Sequence, residues 1–220
     1  MEYPGEGLTE SELAPTPLEQ VRAWVADAQA RQADRGDVVE PTALSLATVD
    51  AAGRPNVRTV LMRFLDERGP GFVTDLGSAK SREITATGAV AASLTWPAMY
   101  RAIRFRGRAV PVSRPEIDAY FRSRPWGSRI SAWASEQSQP VADRTALLAA
   151  YDRFATLYPD TGSPDDVPVP DGWGGWRIDC DEVELWAGRR DRLHDRLVLT
   201  RTADGDLGTA AAWTVHRRQP

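Results

Sequence analysis

The densest chemistry in this chain lies in Arg192-Leu193-His194-Asp195-Arg196, where one of only two histidines sits among two arginines and an aspartate. Trp173-Gly174-Gly175-Trp176 and Glu184-Leu185-Trp186 lie just upstream. Guanidinium forks suit phosphate and carboxylate oxygens. Imidazole titrates near neutrality. This cluster therefore reads either as groups ordered around a bound ligand or as a surface hairpin with solvated arginines.

Three more basic groups are scattered along the chain. Arg58 and Arg63 fall on one stretch of β pattern. Gly77-Ser78-Ala79-Lys80 marks a strand-to-helix junction, where free backbone N–H groups and the helix dipole favour an anion. Lys80 is the only lysine among 27 basic residues. Tyr120, Arg124 and Ser128 are spaced four and four, so the first two share a helix face and Ser128 must be turned back past Pro125. Together these groups suggest two phosphate-bearing ligands, or one ligand with two anionic ends. Neither GxGxxG nor GxxxxGK[ST] occurs, so a Gly-rich nucleotide loop is not expected.

Composition removes other classes. A net charge of −4 speaks against broad nucleic-acid binding. One cysteine, Cys180, excludes an intrachain disulfide, and two histidines with one cysteine nearly exclude a Cys/His zinc site. No apolar run approaches the roughly 18 residues of a membrane helix. The acidic start lacks the pattern of a secretory signal, so the expectation is a cytoplasmic protein with no membrane partner.

The elements that must position these groups follow from periodicity. Residues 1–15 read as a flexible tail and 16–220 as a single domain. Thr16-Pro17-Leu18-Glu19 has the form of a capping box, opening a helix with Val21, Trp24, Val25 and Ala28 that ends near Gly36. Strands are expected at 43–49, 57–65, 72–74, 89–96, 101–112, 176–185, 193–201 and 213–216. Helices are expected from Ser78 to about Thr87, from the Ser113–Glu116 capping box to about Ser123, over about 129–135, and after Asp143. Strands without regular helix alternation argue for a mostly antiparallel α+β fold with a closed or half-closed barrel. Arg58 and Arg63 have opposite strand parity, so a bulge or twist is required if one ligand touches both.

From about Glu40 onward the chain resembles the pyridoxamine 5′-phosphate oxidase family. The resemblance rests on Arg58-Thr59-Val60-Leu61, Gly77-Ser78-Ala79-Lys80, Tyr120-Phe121-Arg122-Ser123-Arg124-Pro125, Ser131 to Ser138, Val169 to Arg177, Val183-Glu184-Leu185-Trp186 and Arg192 to Arg196. It implies an FMN-binding split β-barrel with peripheral helices, forming a homodimer with flavin at the subunit interface. It implies oxidation of pyridoxine or pyridoxamine 5′-phosphate to pyridoxal 5′-phosphate, with O2 reduced to H2O2. By position it implies flavin contacts from Arg58, Leu61, Arg63, Val73, Thr74, Ser78, Lys80, Gln137, Ser138, Trp186 and Arg196. It implies substrate contacts from Arg63, Tyr120, Arg124 and Ser128, with Arg192 and His194 over the pyridine ring as the catalytic pair. The chain departs from the family pattern at Arg63 for lysine, Ala102 for glutamine and Val73 for tyrosine, and 202–212 is longer than usual. The alternative reading is a related FMN-dependent oxidase of another small aromatic in secondary metabolism.

Overall fold

Thr16 opens the first helix as its residue types require. Its hydroxyl accepts the Glu19 N–H at 3.2 Å, and the Glu19 carboxylate accepts the Thr16 N–H at 3.1 Å. Pro17 begins α1 (Pro17–Arg35), and Gly36 ends it in the left-handed region at φ 69°. Leu18, Val21, Trp24, Val25 and Ala28 form the buried stripe. The computed structural model describes Gly5 and residues 7–220.

The strands are β1 (Ala43–Val49), β2 (Pro55–Leu61), β3 (Phe64–Asp66), β4 (Gly69–Asp75), β5 (Ala89–Trp96), β6 (Arg101–Pro111), β7 (Trp173–Ala187), β8 (Asp195–Arg201) and β9 (Trp213–Arg217). Among the described residues they form one sheet in the order β2-β1-β5-β6-β7-β4-β3, with β8 on β7 and β9 on β8. Every pairing is antiparallel. The two end strands of that path, β2 and β3, are consecutive in the chain, so the sheet must curl until its ends meet. β7, at 15 residues, is long enough to pair with β4 near its start and with β8 near its end. This is the expected split barrel. Gly107 sits where the β6–β7 register shifts, and a Cβ there would fall 2.0 Å from the Asp179 carbonyl oxygen.

Leu44, Leu46, Leu94, Ile103, Phe105, Val183, Leu185 and Leu197 fill the barrel, with α1 against it. A second apolar cluster, Val112, Ile117, Phe121, Ile130, Val167 and Trp173, lies beneath α3 (Arg114–Ser123), α4 (Trp126–Ala134) and α5 (Arg144–Leu157). α2 (Ala79–Thr87) follows Ser78 as expected. Asp143 caps α5 through the Ala146 N–H at 2.8 Å.

Several expectations are corrected. The strand expected over 57–65 breaks at Met62–Arg63. The Met62 N–H bonds Thr42 O at 2.9 Å, whereas the Arg63 N–H bonds Gly71 O at 2.8 Å. The chain changes partner between these residues, which removes the parity conflict between Arg58 and Arg63. Ser113 does not form a capping box. Its hydroxyl donates to Glu116 at 2.7 Å, and Glu116 is held by Arg68 and Arg177 instead of the helix start. α4 begins at Trp126, directly after Pro125, three residues earlier than expected.

The N-terminal segment is not loose where it is described. Leu8 is buried and its N–H bonds Asp195 at 2.9 Å, and Glu10–Glu12 form a 3-10 turn. The rest of that tail expectation falls on residues 1–4 and 6, outside the described residues. The long 202–212 segment docks on the fold. Leu207 is buried, its carbonyl accepts the Leu18 N–H at 3.0 Å, and its N–H bonds Glu67 O at 3.0 Å.

Candidate functional site

Pro125 breaks the helix path between α3 and α4, and that bend builds a cavity. Tyr120 and Arg124 come from the end of α3. Ser128 returns on the first turn of α4, its N–H bonded to Pro125 O at 2.9 Å. Across from them lie Leu61 and Arg63 after β2, Val73 and Thr74 on β4, Lys80 on α2, and Gln137. Together they line a space of about 530 Å3, within the range of small-molecule sites.

Three cations, Arg63, Lys80 and Arg124, line this cavity, and no described lining residue is a carboxylate. Arg124 is the most telling. Its guanidinium lies 4.9 Å from the Trp173 ring centre and 5.7 Å from that of Phe121. Its Nη1 is buried with no hydrogen-bond partner. A buried donor of this kind is costly unless a ligand completes it. Burial pulls Arg124 below the ordinary arginine value, with Tyr120 opposing and Arg63 adding to the shift. Burial likewise pulls the Lys80 ammonium down, and Arg58 adds to it. Asp75 and Glu83 oppose the shift at Lys80, whereas no carboxylate opposes it at Arg124.

Lys80 is steered by its neighbours. Gln137 Oε1 accepts from Lys80 Nζ at 2.9 Å and from Thr74 Oγ1 at 2.8 Å. Ser138 Oγ accepts the Ala79 N–H at 3.1 Å, and Ser138 itself has φ 71°. Ser78 is buried beside Thr74 and Ser81. These contacts hold the start of α2 and its lysine against the cavity.

Arg58 is not in that lining. Its terminal nitrogens bond Thr48, Leu46 O at 3.4 Å and Glu83 at 2.8 Å. Glu83 was absent from the sequence reading. Its only signal is its place one turn after Lys80 on α2.

Four remaining site residues gather elsewhere. Trp186, on β7, packs against His194 with ring centres 4.8 Å apart. His194 Nδ1 accepts the Arg189 N–H at 3.0 Å, so a ring proton resides on Nε2. Arg196 lies opposite Trp186 in the β7–β8 register and bonds Glu184 through Nε at 2.9 Å and Nη2 at 3.0 Å. Arg192 sits on the exposed turn before β8 with φ 62°. Glu184, buried among Arg104, Arg196 and Arg218, was also missed as a site-shaping residue. A buried acid within an apolar strand was its signal.

The two groups are far apart within one chain. Thr74 pairs with Gly174 near the start of β7, and Trp186 lies twelve residues further along. At ~3.3 Å per residue that is on the order of 40 Å of strand.

The curled antiparallel sheet is a split barrel of the kind found in FMN-binding proteins. Residues 20–158 match the family model described as pyridoxamine 5′-phosphate oxidase, and residues 173–220 match the pyridoxine 5′-phosphate oxidase C-terminal dimerisation region. The chain belongs to the pyridoxamine 5′-phosphate oxidase family and is an oxidoreductase of that family. It is 46% identical over 222 residues to a pyridoxine/pyridoxamine 5′-phosphate oxidase of Kineococcus radiotolerans, covering 100% of this chain and 96% of that one. It is 44% identical to the protein of that name from Streptomyces avermitilis, covering 99% and 93%. Among solved structures it is similar to PhzG from Burkholderia lata 383 in complex with tetrahydrophenazine-1-carboxylic acid, at TM-score 0.85, 30% identity and 99% and 100% coverage. A pyridoxamine 5′-phosphate oxidase-related, FMN-binding protein from Nostoc punctiforme shares the fold, at TM-score 0.71, 21% identity and 95% and 100% coverage. Among the described residues no helix is long and apolar enough to cross a membrane.

Proposed function

We propose that this chain is an FMN-dependent oxidase that converts pyridoxine or pyridoxamine 5′-phosphate to pyridoxal 5′-phosphate, with O2 as electron acceptor. The observation that carries the reading is the buried, unpartnered Arg124 Nη1 in a cavity of three cations. A phosphate monoester supplies the missing acceptor. Tyr120 and Ser128 add a phenol and a hydroxyl to the same cradle.

The cofactor is FMN, and the residues present fit it. Lys80 and Arg63 provide charge for one phosphate, Thr74, Ser78, Gln137 and Ser138 provide polar contacts, and Val73 and Leu61 provide apolar surface. Trp186 and its cross-strand neighbour Arg196 on β8 would come from the other end of the β7 pairing. When bound, FMN supplies the two-electron acceptor that O2 reoxidises with release of H2O2.

The chain's own residues do the positioning. Arg124, Tyr120 and Ser128 anchor the substrate phosphate and so fix the direction of the pyridine ring. Arg192 and His194 face the reacting end. The Arg192 guanidinium stays protonated, so it orients and shields the substrate and is not a base. His194 is oriented there by the Arg189 N–H, which donates to Nδ1.

A single flavin cannot touch both ends of β7, so the reading requires a homodimer in which each site draws one group from each subunit. The dimerisation region over 173–220, which contains Trp186, Arg192, His194 and Arg196, supports this. Mixing Arg124→Ala and Arg192→Ala dimers, each impaired at substrate well below the variant's KM, under exchange conditions tests it. Half the dimers become hybrids with one intact site, restoring about a quarter of wild-type activity if sites are shared across a two-fold axis. No restoration, with exchange verified, rules the shared site out.

A second reading, an oxidase of another small aromatic, draws support from the similarity to PhzG. A peroxide assay with pyridoxine phosphate, pyridoxamine phosphate and their dephosphorylated forms separates the two. Equal turnover of dephosphorylated pyridoxine favours the second.

A further inference from the structure

The turn that carries Arg192 and His194 is strained. Asp191 and Arg192 are consecutive non-glycine residues in the left-handed region, at φ 57° and 62°. Such residues persist only where surrounding contacts enforce them. Among the described residues of the single chain the turn is exposed, Leu193 at its end being 69% accessible, so burial within the chain does little to hold it.

What holds it lies at its base. The Arg189 N–H donates to His194 Nδ1 at 3.0 Å, and the Arg189 guanidinium pairs with Asp195. The turn is thus pinched shut between residue 189 and residues 194–195. Asp195 is a buried carboxylate with two further partners, the Leu8 N–H at 2.9 Å and the Arg217 guanidinium. Arg217 in turn holds the Glu10 carboxylate through Nε and Nη2, each at 2.9 Å, and Leu8 O at 3.2 Å. The N-terminal segment passes close over Arg189. Gly7, at φ 82°, lies against it, and a Cβ there would fall 2.2 Å from the Arg189 guanidinium and have to displace it. Burial raises the Asp195 carboxyl, but Arg189, the Leu8 N–H and Arg217 together hold it below its ordinary value. It is therefore the charged hub joining three segments remote in sequence.

We propose that Asp195 is a positioning residue whose carboxylate, clamped between Arg189, Arg217 and the Leu8 backbone, holds the strained Asp191–Arg192 turn in the form that presents Arg192 and His194. The proposal rests on the reading of those two residues as substrate-facing. Asp195 acts through the turn, and the segment around Leu8–Glu10 is part of the clamp.

The test uses the FMN-loaded enzyme in six forms: wild type, Arg192→Ala, Asp195→Asn, the double variant, Asp195→Glu and Arg217→Gln. Asp195→Asn should lower kcat about tenfold with KM for pyridoxine phosphate and FMN affinity within about twofold. The double variant should be no slower than Arg192→Ala alone, because the two changes act on one element. Asp195→Glu should recover part of kcat by restoring the charge. Arg217→Gln, which leaves Asp195 in place but removes one clamp arm, should give a smaller fall in kcat and serves if Asp195→Asn does not fold. Wild-type kcat in Asp195→Asn, or losses that multiply in the double variant, overturns the proposal. If wild type oxidises pyridoxine phosphate and Arg192→Ala is impaired while Asp195→Asn is not, only this inference falls. If wild type itself oxidises neither phosphorylated substrate, the functional reading falls with it.

Discussion

The two ends of β7 use the same side chain for opposite purposes. At the α3–α4 cavity, Arg63, Lys80 and Arg124 face a space with no described carboxylate in its lining. At the β7–β8 end, Arg189 and Arg217 share Asp195, Arg196 and Arg104 share Glu184, and Arg218 bonds Glu182. These arginines have their charge compensated within the fold, including Arg196, which also belongs to the proposed flavin site. Unpaired, part-buried ones carry an electrostatic deficit that a ligand removes. Counting arginines therefore does not locate an anion site, whereas finding the acids that fail to accompany them does.

The sharpest way to break that contrast is at Arg124. Arg124→Ala should lower kcat/KM for pyridoxine phosphate by about 30- to several-thousand-fold, equivalent to about 2–5 kcal/mol, because it removes the charged partner of a desolvated phosphate. Most of the change should be in KM, with FMN retained, as steady-state kinetics and flavin absorbance will report. Wild-type KM in this variant would sink the phosphate cradle.

The scaffold end should respond in stability rather than in KM. Glu184→Gln leaves Arg104, Arg196 and Arg218 facing one another without their shared anion. Denaturant unfolding should show a loss of about 2–3 kcal/mol, below the ~3–5 of a fully buried pair, because water screens part of the network. Arg104 is 45% exposed and Arg196 22%, which is why the screening matters. An unchanged midpoint would mean that these pairs are surface ornaments.

Lys80→Met sharpens the cavity side. It should weaken FMN by about 1.5–3 kcal/mol, the scale of a charge-assisted hydrogen bond, measured by quenching of flavin fluorescence. A protein that keeps full FMN affinity would place Lys80 outside the flavin site.

The smallest effect concerns the network that seats α3, and through it Tyr120 and Arg124. Glu116 is held near about 2 by Arg68, then Ser113, with burial opposing and Arg177 assisting. Its folded value lies below its unfolded one, so its contribution is present above about 4.5 and is lost as pH falls towards 2. Wild type should exceed Glu116→Gln in stability by about 1–2 kcal/mol near neutrality after solvent screening, with the gap closing across that acid window. A gap that stays constant with pH would remove Glu116 as the titrating group.

Much of the fold was legible because local rules decide it. The Thr16–Glu19 box, the Gly36 stop, the Asp143 cap and the strand period over 101–112 each act within a few residues. The Ser113 box failed because Glu116 found stronger partners in Arg68 and Arg177, the latter far along the chain. The 57–65 strand was drawn too long because a change of hydrogen-bond partner leaves no trace in hydrophobic period. Segment 7–15 was read as loose because its anchors, Asp195 and Arg217, lie nearly two hundred residues away.

By itself, the sequence determined the set of chemical groups, the antiparallel α+β class and the family pattern, since residue type, period and motif spacing are local properties. Which arginines are neutralised, and which are left for a ligand, only the tertiary structure decided. It paired Arg58 with Glu83 and Arg196 with Glu184, left Arg124 Nη1 without a partner, and set Thr74, opposite Gly174 at the start of β7, far from Trp186 near that strand's end. The physical reason is that charge compensation and separation depend on distances across strand pairings and buried contacts, and those distances exist only once the sheet has curled.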